Sequence, residues 1–291
     1  MNELHLSELR FARGRARGAI AAMGVALLVA CGNAPTKREV LSAEQERRNR
    51  GVAVWKTRCA KSGVFIHKTI ENIEGIYLVN VRIRLNYGES PEDQFALDDP
   101  YGHDSVGDNY ILNFLQGFYY RSAETKPRIP GAPPRIGYRY VEAFDSKDGK
   151  LYRFTGGLER SKGVDGRDSS EHVHMFLERK LIDKRSARFG VKFEDISSRE
   201  DRSYWIAGSS LKVLDLETGE VVAERVGYMV DRAQGSRAGN RSPWLFAADT
   251  ACPDFHRNPN STIRNGAAAQ MGQTLDFVEQ VLKPRTGRVS K

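Results

Sequence analysis

Leu211-Lys212-Val213-Leu214-Asp215-Leu216, then Glu217-Thr218-Gly219, then Glu220-Val221-Val222-Ala223-Glu224-Arg225, is the stretch whose reading decides the fold class. Two runs rich in Val and Leu flank a short turn that ends in glycine. Glycine takes the left-handed backbone of a tight turn without steric cost, and Val suits a pleated, half-buried surface. The pattern predicts a β-hairpin over 211–225. Tyr228-Met229-Val230 prolongs its second strand.

The signal repeats upstream. Tyr138–Phe144 and Lys150–Thr155 read as a hairpin around Asp145-Ser146-Lys147-Asp148-Gly149, and Val173–Glu178 reads as a strand. In Ile76–Tyr87, Tyr77, Val79, Val81, Ile83 and Leu85 alternate with Leu78, Asn80, Arg82, Arg84 and Asn86. Period two with a mostly polar second face predicts one long strand with a wet side. Tyr110–Tyr120 is apolar and aromatic and fits a short helix or a strand. Pro127, Pro130, Pro133 and Pro134 make Lys126–Gly137 an exposed extended segment, because proline lacks the N–H that regular structure uses. Ser161–Ser170 reads as a polar loop. Thr274–Leu282 is the best helix: Leu275, Val278 and Leu282 share a face, Thr274 can cap it and Pro284 follows its end. No repeat of roughly 20–50 residues is visible, which disfavours solenoids and propellers. The expected fold class is β-rich α+β, an antiparallel sheet or sheets with few helices and a C-terminal helix. One globular unit is expected over 51–284, followed by a basic tail at 285–291.

The N-terminus has the order of an export signal. Arg10, Arg13, Arg15 and Arg17 precede an uncharged, mostly apolar run, Gly18–Ala30, which ends in small residues. The run is about 13 residues, whereas a membrane span needs roughly 20. Its end, Leu28-Val29-Ala30-Cys31, resembles the lipobox of bacterial lipoproteins. The resemblance covers this N-terminal segment alone. It implies a signal peptide over 1–30, a diacylglyceryl group on the Cys31 thiol, cleavage before Cys31 and acylation of the new amino group. Gly32 in place of Asp implies release to the outer membrane, facing the periplasm. Lys37, Arg38, Glu39, Glu44, Glu46, Arg47, Arg48 and Arg50 make the following stretch a polar tether, 31–50, or a marginal helix that holds the domain off the bilayer.

Loss of the signal would remove four Arg and two Glu, taking the net charge from +8 to about +6. A basic excess is compatible with nucleic acid, but export argues against that partner. It equally serves as a soluble surface or as an attraction to anionic headgroups or an acidic protein face. Three cysteines occur in all. With Cys31 acylated, Cys59 and Cys252 remain, and in an oxidising compartment they are expected to form one disulfide. Two buried free thiols are the alternative.

No catalytic motif stands out. His172 and His174 are two apart on an expected strand, so both lie on one side; a metal would need a third ligand such as Glu171 or His103, and two surface histidines is the simpler reading. Asp98, Asp99, Asp104 and Asp108 lie close together with Gly102 and Gly107, but the ligand order of a calcium loop is absent and a solvated acidic loop is expected. Ser209-Ser210-Leu211-Lys212 contains Ser-x-x-Lys, but on a strand residues three apart face opposite sides. No metal or cofactor is therefore assigned. Tyr204-Trp205-Ile206 and Pro243-Trp244-Leu245-Phe246 bracket the hairpin, and core packing is their first reading. Trp244 follows a Gly/Ser/Arg-rich segment, Arg232–Ser242, which reads as a mobile loop. Arg232, Arg237, Arg241 and Trp244 are the candidate binding residues, since Trp and Arg are enriched at interface hot spots.

Three functional classes remain. The first is a lipid-anchored, non-catalytic protein-binding module with an envelope or secreted protein partner, for instance an immunity or inhibitor protein against an envelope-targeted toxin such as a lipase. The second is an envelope hydrolase with a site assembled from His172, His174 and Asp104. The third is a structural or assembly accessory.

Overall fold

The computed structural model describes residues 36–83, 94–95, 99–102, 105–122, 135–162, 171–255, 270 and 272–286. The segment 1–35, with the expected export signal and Cys31, lies outside them, as do Asp98, His103, Asp104, the four prolines of 126–134 and the end of the basic tail. The elements are α1 (Lys37–Cys59), β1 (Gly63–Ile66), β2 (Ile70–Ile73), β3 (Gly75–Leu78), α2 (Asp108–Ser122), β4 (Tyr140–Phe144), β5 (Leu151–Lys162), β6 (Glu171–Leu181), β7 (Phe189–Asp195), α3 (Arg199–Ser203), β8 (Ile206–Asp215), β9 (Val221–Val230), α4 (Pro243–Ala247), α5 (Gln273–Val281) and β10 (Leu282–Pro284). The chain is β-rich α+β. Eight strands form one sheet in the order β1-β9-β8-β7-β3-β4-β5-β6, and β2 pairs with β10 in a small parallel sheet.

The expected hairpin is the pair β8–β9, and it extends well beyond 211–225, from Ile206↔Val230 to Leu214↔Val221. Gly219 in its turn has φ +77°, as the turn chemistry requires. The β4–β5 hairpin is also present. The strand at Val173–Glu178 is longer than expected, because β6 pairs with β5 along its whole length. The sheet is not wholly antiparallel: β3 runs parallel to both β4 and β7. A parallel neighbour needs a crossover, and α2 lies in the one between β3 and β4. This resolves Tyr110–Tyr120 as helix.

One face of the sheet carries the larger core. Tyr110, Ile111, Phe114 and Leu115 recur at helical spacing on α2 and pack over β4, β5 and β6. Leu275, Val278 and Val281 on α5 close the core beside β8 and β9. From the strands come Ile76, Leu78, Val141, Phe154, Val191 and Leu211. On the opposite face Glu142 of β4 is fully buried. Burial alone would raise its carboxyl pKa. Hydrogen bonds from the Ala187 and Ser186 N–H groups, from the Ser186 hydroxyl and from Arg153 more than offset this and hold it below the usual value. Glu142 is therefore an anionic staple for the segment entering β7.

The long strand expected over Ile76–Tyr87 is corrected. Only residues 76–78 of it are strand, as the end of β3; residues 79–83 are described but not strand, and Arg84–Tyr87 lie outside the described residues. Val79 N–H still donates to Val191 O. Then the Asn80 side chain takes over the pairing: its Nδ2 donates to Phe193 O, and its Oδ1 accepts from Phe193 N–H. A side-chain amide that mimics the backbone terminates the strand. Arg82, assigned by alternation to a wet face, is only 5% exposed, and Ile76 and Leu78 are both buried in the core. The C-terminal helix is observed, but Thr274 is not its cap. Gly272, with φ +83°, occupies that position, and Thr274 is buried within the helix.

α1 crosses the position where tether was expected to give way to domain. Thr36 and Glu39 form a capping box, satisfying two otherwise orphaned N–H groups. Every residue from Lys37 to Arg50 is exposed, and burial begins at Gly51. The exposed part rises about 20 Å at 1.5 Å per residue. Its far end is clamped: Arg58 Nε donates to Asp201 at 2.9 Å, and Cys59 is joined to Cys252 by a disulfide.

Candidate functional site

The site is built on the chain reversals at one end of the β8–β9 hairpin. Ser198 and Asp201 cap α3, and Trp205 follows with φ +55° before β8 begins. A bulky residue in the left-handed region is strained, and such positions persist only where surrounding structure over-determines them. Of the four non-glycine residues with positive φ among the described residues, Trp205, Gln234 and Asn240 all lie here. Trp205 is held by a backbone hydrogen bond from Asp231 N–H and by tilted packing on Trp244, with ring centroids 5.1 Å apart. Gly235 lies against its indole, and a Cβ there would come within 2.3 Å of the ring.

Asp231 organises the loop. It ends the described sheet ladder, is 1% exposed, and accepts from Ala233 N–H and Gly235 N–H. Arg241 grips the same carboxylate with both terminal nitrogens, at 3.0 and 2.5 Å, and donates to Ser236 O at 2.6 Å. Gln234 reaches Tyr204 O at 2.8 Å and packs against Gly51 of α1. Proline at the start of α4 sets the next turn, which drives Trp244 into a second core with Trp205, Met229 and Tyr101. Phe246 stays 50% exposed, with the Arg241 guanidinium 4.7 Å above its ring.

These contacts correct the expectation of a mobile loop with free arginines. Arg241 is tied into a buried ion pair, and Trp244, at 1% exposed, belongs to the core. Arg232 and Arg237 are exposed. Both are carried on the folded loop, and Phe246, beneath Arg241, is exposed on the following helix α4. Sequence reading missed Asp231 and left Phe246 out of the candidate set. The available signal for Asp231 was an acid at a strand end followed by a Gly/Ser-rich turn and an arginine ten residues on. The distinction is measurable. Arg241→Ala strands a buried carboxylate and is expected to cost about 2–4 kcal/mol in denaturant titrations. Arg232→Ala, at an exposed position, is expected to change stability by no more than about 0.5 kcal/mol. Equal effects from the two variants would refute this division.

The other candidates are not assembled into a site among the described residues. Ser209 is buried on the core face of β8 and Ser210 on the other face, where its hydroxyl donates to Glu224 at 2.6 Å. Lys212 donates to Glu194 and lies 3.7 Å from Glu224. The Glu194 hydrogen bond and charge raise its pKa, keeping it protonated and unfit as a base. His174 is exposed on β6; the side chain of His172 lies outside the described residues. Asp99 is paired with Arg82 in the interior, and Asp108 begins α2. Among the described residues no three His, Cys, Asp or Glu side chains group as metal ligands, and no helix is long and apolar enough to cross a membrane.

No protein-family model, curated protein or solved structure matches this chain.

Proposed function

We propose that this protein is a lipid-anchored, non-catalytic binding module of the bacterial envelope. It would be held in the outer membrane through Cys31, face the periplasm and engage a protein partner through the surface of Arg232, Arg237 and Phe246. The observation that carries the reading is that Arg232 and Arg237 are exposed on a loop pinned by Asp231, Arg241 and the Trp205–Trp244 pair, with Phe246 exposed on the helix that follows. Preorganisation lowers the ordering cost of binding, and arginine pairs bidentately with carboxylates. The export signal, the lipobox-like Leu28-Val29-Ala30-Cys31 and the Cys59–Cys252 disulfide support the location. α1 would then be a stem between the acyl chains and the domain. Inhibition of a toxin acting at the envelope, such as a lipase, is the specific form proposed, because a membrane tether concentrates an inhibitor where such an enzyme works.

The test has two arms. Labelled palmitate is expected to enter the wild type and not Cys31→Ser; label persisting in that variant would sink the anchor. A partner captured on the wild type is then titrated with Arg232→Ala/Arg237→Ala. A loss of about 1–4 kcal/mol is expected if these are hot spots. Unchanged affinity with an unchanged melt would remove this surface from the interface.

A further inference from the structure

β6 is an edge strand of eleven residues, and among the described residues it pairs only with β5. Its outward edge offers a row of backbone donors and acceptors. Strand edges are commonly blunted by charged side chains, proline, bulges or a covering element, and β6 carries the charged Glu178, Arg179 and Lys180 toward one end. β6 contains no proline, and its pairing with β5 runs without a register shift. Its side chains divide by parity. Met175 and Leu177 turn to the helix-covered face and pack partly buried against the core. His174, Phe176 and Glu178 alternate with them and are exposed, Phe176 lying over Gly157 of β5.

We propose that the β6 edge is a self-association surface whose occupant is β6 of a second copy of this chain, added antiparallel about a two-fold axis through Phe176. The argument is complementarity under that one operation. With Phe176 facing its own symmetry mate, His174 falls opposite the partner's Glu178, and Glu178 opposite the partner's His174. Imidazole N–H donors thus meet carboxylates on both sides of an aromatic pair, an arrangement that stabilises antiparallel strands. On the other face Met175 falls opposite the partner's Leu177. Shifting the register by two residues places His174 opposite Lys180, and shifting it by four places Glu178 opposite itself. The Phe176-centred register also sets Lys180 opposite position 172 of the partner, so a His–Lys pair alone does not exclude a shift; this register is distinguished by the facing Phe176 pair flanked on both sides by His174–Glu178 pairs. The contact uses one patch on both subunits and closes as a dimer without leading to a filament through this edge. Its outcome is a sheet continuous across two molecules.

The experiment uses the full chain carrying Cys31→Ser, so that an introduced thiol is the unpaired one; it does not depend on the lipid anchor or on the Arg232 surface. His174→Cys and Glu178→Cys are made separately, leaving Phe176 in place. Directly opposed residues have Cβ atoms about 4.5–5.5 Å apart, within disulfide reach. Two copies of the same variant hold their thiols about 13 Å apart along the strand, out of reach. Mild oxidation is expected to give cross-linked dimer in the equimolar mixture and none in either variant alone. In sedimentation, Glu178→Lys is expected to shift dimer to monomer, and His174→Glu/Glu178→Lys to restore dimer by exchanging the paired groups. Monomer at all concentrations of the unmodified edge overturns the proposal. So does cross-linking as strong in the single variants as in the mixture, which would mean random collision or another register.

Discussion

Replacing Cys59 and Cys252 together with serine is expected to lower stability by about 3–5 kcal/mol. The pair closes a loop of 193 residues. The chain-entropy model gives about 5 kcal/mol for a loop of that length, and native-state strain and residual structure in the unfolded chain commonly reduce the yield. Geometry says where the loss falls first. The bond ties the end of α1 to Cys252, which forms a two-bond antiparallel bridge with Tyr228 at the margin of β9. Without it, α1 keeps Arg58–Asp201, the Arg47 contact to Ser203 O and the packing of Gly51. The denaturation midpoint should fall, and hydrogen exchange in 51–59 should accelerate more than in β7 or β8. An unchanged midpoint with unchanged protection of α1 would show that the bond does not hold α1.

Asp99→Ala is expected to cost about 3–5 kcal/mol, the range for stranding one member of a buried pair. Arg82 and Asp99 are 5% and 0% exposed, with Nη2 and Oδ2 2.6 Å apart. Asp99 also accepts from Gly102 N–H, and Arg82 lies 4.0 Å from the centroid of the Phe193 ring. Removing the carboxylate leaves a guanidinium between aromatic rings and ties the loop down no longer. The melting temperature should drop by roughly 10 °C, at about 2–4 °C per kcal/mol for a domain of this size. Arg82→Met with Asp99→Ala should cost less than Asp99→Ala alone, because the buried charge that lost the Asp99 carboxylate is removed with it. If the double variant is the less stable of the two, the desolvation account is wrong and packing by the Arg82 stem is the larger effect.

The two expected hairpins are local structures. Turn chemistry at Gly149 and Gly219 and the Val-rich flanks act over a few residues, so they are legible in the chain. β7 was equally legible in kind: Phe189, Val191 and Phe193 alternate with Gly190, Lys192 and Glu194, but no turn signal at either end drew attention to it. Ile76–Tyr87 misled for the opposite reason. Alternation recorded a tendency, and the Asn80 amide and the Arg82–Asp99 pair, whose partners are distant in sequence or lie in a loop, ended the strand. The loop after β9 shows the same limit. Composition marked Arg232–Ser242 as polar and Gly-rich, whereas the carboxylate that folds it belongs to the preceding strand end and its floor is Trp205.

Sequence by itself determined the β-rich α+β class, both hairpins and the helical C-terminus, because short-range backbone preferences suffice for these; it left the Cys59–Cys252 disulfide beside the alternative of free thiols, and the meeting of α1 with the segment after β9 decided it. Tertiary structure alone decided the parallel placement of β3, the separation of Arg232 and Arg237 from Arg241, and the edge position of β6. Each depends on which distant segments meet, and a buried charge or an open edge is defined only once those neighbours are in place.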